Sequence, residues 1–188
     1  MWITKVIAVI AIGMLASACA SPAEVNNMTV QPIASLSASS SSPFMNNMRL
    51  AEVSGGKETN PMWTSQVSGT AYELALRNSL EANNLILKSN PDPKFELHAR
   101  LAELEQPFFG LDMTVNSKVS YDVVEIKTRK SWFDKEILAS YTATFSDAAM
   151  GLVRLRLANE GSVRKNIEQF ITELLHMPQK AALNQATK

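Results

Sequence analysis

The residues of this chain whose types could do chemistry are few: one cysteine, Cys19, and two histidines, His98 and His176. A single cysteine forms no internal disulfide, and with two histidines it builds no zinc site at a usual spacing, so neither metal nor cofactor is expected. Ser162-Val-Arg-Lys165 has the Ser-x-x-Lys spacing that sets a serine nucleophile one helical turn from an amine base. Its usual companions occur only as the incomplete Ser146-Asp-Ala148 and Lys127-Thr-Arg129, both upstream of the serine they should follow. Gly55-Gly56-Lys57 lacks the first glycine and the Ser or Thr of a phosphate loop, so it reads as a turn. Neither histidine has a nucleophile or an orienting acid nearby in sequence. No catalytic residue is expected, and the chain reads as non-enzymatic.

These residues must be positioned by a single domain, since 188 residues with 46% hydrophobic content are thin for two. Lys+Arg and Asp+Glu both number 18, so no excess charge argues for nucleic acid or for an anionic membrane surface as the partner, and no nucleic acid is expected. Met1 to Lys5 carries one positive charge, and the uncharged, largely apolar run Val6 to Ala18 follows it. That is the form of an export signal. A bilayer-spanning helix needs about 20 apolar residues, whereas Ser21, Pro22 and Glu24 interrupt this one.

Ala16-Ser17-Ala18-Cys19, with Leu15 ahead of it, resembles the lipobox of bacterial lipoproteins; Ala16 stands where Leu is commoner. The resemblance implies cleavage between Ala18 and Cys19, diacylglycerol on the Cys19 sulfur, and acylation, commonly by palmitate, of the new amino group. The membrane is then a partner through the lipid anchor. The alternative is an ordinary export signal cut near Ala20 or Ala23. In proteobacterial lipoproteins an Asp after the cysteine retains the protein at the inner membrane. Ala20 in that place implies the outer membrane, with the polypeptide on its periplasmic face.

Residues 19–43 are Ser-rich and bounded by prolines, and read as a flexible tether with a reach of roughly 25 to 30 Å. Met28 to Ile33 offers an edge strand there, against which Pro32 argues. A single domain is expected over 44–178, with a frayed tail at 179–188. Met48 to Val53 alternates and ends at Gly55-Gly56, a strand and a turn. Asn60-Pro61 offers a helix start, with apolar residues at helical spacing from Val67 to Ala82. Phe95, Leu97, Ala99 and Leu101 share one strand face. In the next strand the phase switches after Val123, which predicts a bulge at Val123-Val124. A third strand carries Phe133, Ile137 and Ala143, and the stripe Val163, Ile167, Phe170, Ile171 and Leu174 marks a final helix starting near Leu152. The expected fold is α+β: an antiparallel four-stranded sheet with two helices packed on one face, in the order β-α-β-β-β-α.

Gln106-Pro-Phe-Phe-Gly-Leu-Asp112 puts two aromatics at a hairpin tip. Either the loop folds back over the core, or Phe108 and Phe109 belong to a binding surface. Arg154, Arg156, Asn159, Glu160 and Asn166 carry the same ambiguity, between a solvated helix face and a partner contact. Phe108, Phe109, Arg154 and Asn166 are the candidate partner-binding set.

From about residue 108 to 175 the chain resembles a group of small proteobacterial lipoproteins. The resemblance lies in Gly110-Leu-Asp-Met-Thr-Val115, Ser146-Asp-Ala148, Arg154-Leu-Arg-Leu-Ala-Asn-Glu160 and Asn166-Ile-x-x-Phe170. The order of elements is similar, more distantly, to the lipopolysaccharide-assembly lipoprotein and to auxiliary lipoproteins of lipid-trafficking transporters. That likeness implies an accessory role beside an envelope protein partner, or a domain that binds lipid or a small molecule.

Overall fold

The computed structural model describes residues 20–34 and 42–177. The leader 1–18, the Ala18-Cys19 junction, residues 35–41 of the expected tether and the tail 179–188 lie outside the described residues. The elements are α1 (Val25–Met28), β1 (Met48–Gly55), α2 (Gly69–Ala82), β2 (Phe95–Glu105), β3 (Met113–Glu125), β4 (Ser131–Ala143) and α3 (Gly151–Leu175). The strands form one sheet in the order β1-β2-β3-β4.

The α+β class is as expected, but the sheet is mixed, not all antiparallel. β1 and β2 run parallel from Met48↔Phe95 to Gly55↔Leu101, while β2-β3 and β3-β4 are antiparallel. The cause is the connection. A helix between two strands of one sheet carries the chain back to the end where it started, and the next strand then repeats the first one's direction. A third, short helix, α1, also precedes the expected order. The bulge between Val123 and Val124 is present.

The start of α2 also differs from expectation. Asn60 does cap, but its side chain accepts from Met62 N at 3.0 Å within a tight turn closed by Thr64 N to Asn60 O. The helix begins at Gly69, where the Ser68 hydroxyl accepts from Ala71 N at 3.2 Å. Residues 62–67 lack an apolar helical repeat to bury, so the cap at Asn60 has nothing to propagate.

Both long helices lie on one face of the sheet. Leu97, Val119, Tyr121 and Val123 of that face share a core with Leu76 and Leu80 of α2 and Val163, Ile167 and Phe170 of α3. Tyr121 stacks on Phe170 with ring centroids 4.1 Å apart, and Phe133 meets the same ring edge-on.

Residues 20–34 are not a tether. They form a strap over the two helices, burying Ala23, Met28 and Val30. No strand forms between Met28 and Ile33. Val30 N instead donates to Ser79 Oγ at 2.8 Å and Ile33 N to Asn83 Oδ1 at 2.9 Å, both from the α2 side. On α3, buried Glu160 accepts from Glu24 N at 2.8 Å and from Asn27 Nδ2 at 2.9 Å, while Arg164 donates to Asn27 O. Burial pushes the Glu160 carboxyl up from its ordinary value, against the pull of these donors and of Arg156. Glu160→Ala removes both acceptors, so amide exchange at Glu24 is expected to accelerate about tenfold or more while exchange in β3 stays unchanged. Hydrogen-exchange mass spectrometry checks this, and unchanged protection at Glu24 would contradict it.

Candidate functional site

β1, β2 and β4 all end, and α2 and α3 both begin, at the same end of the sheet. Three loops meet there: 56–68, 106–112 and 144–150. The first is launched by Gly55 and Gly56 at φ 85° and 79°, a left-handed backbone that a side chain would oppose. A Cβ on Gly55 would also fall 2.0 Å from Leu101 O.

Buried and half-buried polar side chains lock the loops together. Gln106 Nε2 donates to Ser65 O at 2.8 Å and to Asn159 Oδ1 at 2.7 Å. Its Oε1 accepts from Thr64 Oγ1 at 3.0 Å and Gln66 Nε2 at 3.1 Å. Asn159 Nδ2 adds a bond to Ser65 O at 3.0 Å. Arg154 ties the other two loops, donating to Ala148 O and Ala149 O at 2.7 and 2.8 Å and to Gly110 O at 3.4 Å. Its guanidinium lies 5.2 Å from the centre of the Phe145 ring.

On this rigid base stand large apolar side chains that nothing in the described structure covers. Phe108 is 101% exposed, Phe109 88%, Met62 81%, Trp63 77% and Leu111 76%. Burying one such side chain is worth about 1.5 to 3 kcal/mol, so the loop end forgoes several times that in water. Clustered exposure of this kind marks an interaction surface. Of the two readings of the Phe108-Phe109 loop, the one that folds it over the core is excluded. Trp63, Leu104, Phe108, Phe109, Met113 and Leu155 line a groove of about 960 Å³ between the loops, with Lys57 and Arg154 at its wall.

The strap reaches the same place. Ala20 N donates to Pro61 O at 2.8 Å, Ser65 Oγ to Ser21 O at 2.7 Å, and Ala23 N to Gln66 O at 3.2 Å. The residue that follows Cys19 in the chain is thus bonded next to Met62 and Trp63.

The other two members of the expected partner-binding set are internal. Arg154 is buried beneath the loops and acts on the surface by holding it. Asn166 is fully buried between α3 and the sheet, where no partner reaches it. Their polar neighbours mislead because the strap and the sheet cover α3 from two sides. Of the residues that fix the loops, Asn159 is open in the sequence between a solvated face and a partner contact, and Gln106 and Ser65 carry no such expectation. A sequence signal existed for one of them: Asn159 lies four residues before Val163, in phase with the apolar stripe of α3.

Candidate catalytic groups do not converge. Ser162 is buried with its hydroxyl on Asn159 O at 3.2 Å, whereas Lys165 Nζ reaches Ser140 O at 3.2 Å on the exposed side. His176 Nδ1 lies 2.7 Å from Thr172 O. Among the described residues no group of three His, Cys, Asp or Glu could hold a metal ion, and no helix is long and apolar enough to cross a membrane.

His98 belongs to a charge cluster on the open sheet face. Glu96, itself buried, accepts from Arg49 at 2.7 Å and from Arg129, with His98 Nε2 at 3.4 Å. The Arg49 guanidinium, aided by Arg129 and His98 against the effect of burial, lowers the Glu96 pKa from 4.5 to about 2. A lowered carboxyl pKa stabilises the fold above about pH 4.5, and the contribution is lost as pH falls toward about 2. Both guanidiniums stand more than half in solvent, so screening holds the contribution to about 1 kcal/mol. Urea unfolding at pH 6 and pH 2.5 should therefore show Glu96→Gln losing about 1 kcal/mol less on acidification than wild type. Equal losses would contradict the assignment.

The fold and the loop end define a small α+β domain with two long helices over a mixed sheet, a class found among bacterial proteins of known structure. The chain is similar to protein XCC0632 from Xanthomonas campestris, of family DUF330, with a TM-score of 0.61 at 8% identity over 87% of this chain and 98% of that one. A minor lipoprotein from Acinetobacter baumannii aligns with 71% of this chain and 93% of its own at 13% identity, with a TM-score of 0.43. At such identity the likeness to the Xanthomonas protein is one of fold. No protein-family model and no curated protein matches the sequence.

Proposed function

We propose that the chain is a bacterial lipoprotein, cleaved between Ala18 and Cys19 and held by lipid on Cys19 at the periplasmic face of the outer membrane. There it serves as a non-enzymatic accessory in an envelope assembly or lipid-trafficking complex. The observation that carries this reading is the junction of two features. A lipobox-like Ala16-Ser-Ala-Cys19 leads directly into a strap bonded beside an uncovered apolar surface. Lipidation at Cys19 and a role that needs contact, not turnover, account for both.

Metabolic labelling with an alkyne fatty acid tests the anchor. Label on wild type and none on Cys19→Ala is expected, and equal labelling of both would overturn it. Co-purification from gently solubilised membranes tests the accessory role, which requires one discrete envelope protein retained in stoichiometric amount. Its absence would remove that part of the reading.

A second reading is favoured by the groove itself, whose apolar lining and two cations suit an amphiphilic anion such as a lipid. Native mass spectrometry of protein gently extracted from membranes separates the two readings. A retained non-covalent lipid mass supports the second, and a mass explained by the covalent anchor alone excludes it.

A further inference from the structure

We propose that the loop end is a bilayer-seating face, with Met62, Trp63, Phe108, Phe109 and Leu111 lying in the interfacial layer of the membrane and the sheet standing away from it. This rests on the lipid anchor proposed above. The occupant follows from where Ala20, the residue after Cys19, is held. From Ala20 onward the strap is bonded to Pro61, Ser65 and Gln66, so no slack separates an acylated Cys19 from the apolar loops. A domain on a loose tether samples all orientations. Here the anchor and the loops leave the same end, and the lipid brings that end to the headgroups first.

The chemistry of the surface agrees with a fluid apolar phase. Its side chains come from two loops, Phe108 being completely exposed, and Trp63, Phe108 and Phe109 border the groove between those loops. Trp63 supplies the amphipathic ring that favours the membrane-water boundary. The charges beside them are Asp112, which accepts from Phe145 N at 3.1 Å, and Lys57 and Arg154 at the groove wall. The opposite end is the reverse: Lys94, Glu125, Lys127, Arg129 and Lys130 crowd the turn beside Trp132. Trp132 and Ala143 bound most of β4, which sets Trp132 roughly 35 Å from the loop end.

That separation gives the test an internal control. The full chain, expressed with its own leader and extracted from membranes, is reconstituted into phosphatidylethanolamine-phosphatidylglycerol vesicles with and without bromine on the acyl chains. Trp2→Phe/Trp132→Phe leaves Trp63 as the only tryptophan, and Trp2→Phe/Trp63→Phe leaves Trp132. Bromolipid is expected to quench Trp63 about twofold or more and to leave Trp132 within about a tenth of its unbrominated intensity. Intact mass read on the same sample reports lipidation separately. A diacylglyceryl mass with Trp63 unquenched overturns the seating face and leaves the anchor standing, as would be the case were a protein partner the occupant. A quenched Trp63 without the lipid mass supports the seating face and overturns the anchor. Equal quenching of both tryptophans overturns the proposed orientation.

Discussion

Replacing Asn166 with leucine is expected to lower the free energy of unfolding by about 3 kcal/mol, although leucine has the same branched skeleton of four side-chain heavy atoms. Asn166 is fully buried, and its amide does three things at once. Nδ2 donates to Ile137 O at 2.8 Å and to Ser117 O at 3.2 Å, joining α3 to two strands, and Oδ1 accepts from the Tyr121 hydroxyl at 3.0 Å. Leucine fills the space but leaves those groups dry and short of partners. A buried polar group deprived of its partner costs about 1 to 3 kcal/mol, so the loss comes from the sheet's side of the contact. Urea unfolding measures it. A change below about 0.5 kcal/mol would mean that α3 is held by shape alone.

Gly161→Ala is expected to destabilise by about 2 kcal/mol, against the direction that helix propensity alone predicts. Gly161 sits inside α3, where alanine normally gains roughly 0.5 to 1 kcal/mol over glycine. Here a Cβ would lie 2.4 Å from Cγ and Cδ1 of Tyr141 on β4, closer than any real contact. The helix can approach the sheet at that point only because the side chain is missing. The double variant Gly161→Ala/Tyr141→Ala should therefore be more stable than the sum of the single changes implies, by about 1 kcal/mol or more. Strict additivity in unfolding experiments would show that the close approach is not the cause.

Much of the helix-on-sheet layer was legible in the sequence. The stripe Val163, Ile167, Phe170, Ile171 and Leu174 placed α3, and the phase change after Val123 placed a bulge, because each reports burial on one face through a simple period. Strand direction leaves no such trace. The alternation of β1 is the same whether β2 runs with it or against it, and only the path through α2 decides. The strap was lost for a related reason. Its fixed points are bonds from its own backbone to Ser79, Asn83 and Glu160, so its few apolar residues follow no period and its composition resembles a linker.

At the loop end, Phe108 and Phe109 were visible as an anomaly, two large aromatics in a short polar turn. What fixes them was less visible. Gln106, Asn159 and Arg154 look like surface residues by type, and only the assembly of distant segments buries Asn159 and Arg154 and half-buries Gln106. Asn166 carried a readable sign, since it lies between Val163 and Phe170 on the apolar stripe and therefore points into the core. The correction matters for function. With Arg154 and Asn166 internal, the contact surface reduces to the projecting loops, and the strap bonded from Ala20 onward ties them to the proposed anchor that precedes it.

Spin labels read that position most directly. The proposed acylation of Cys19 would leave a single introduced cysteine free for labelling, so Phe109→Cys and Lys130→Cys each report one end of the domain in reconstituted vesicles. With the loop end seated on the bilayer, the label at 109 should be relaxed by membrane-dissolved oxygen and shielded from an aqueous nickel chelate, and the label at 130 should show the opposite. Equal access of the nickel chelate to both labels would contradict the account, because it would describe a domain swinging free of the bilayer.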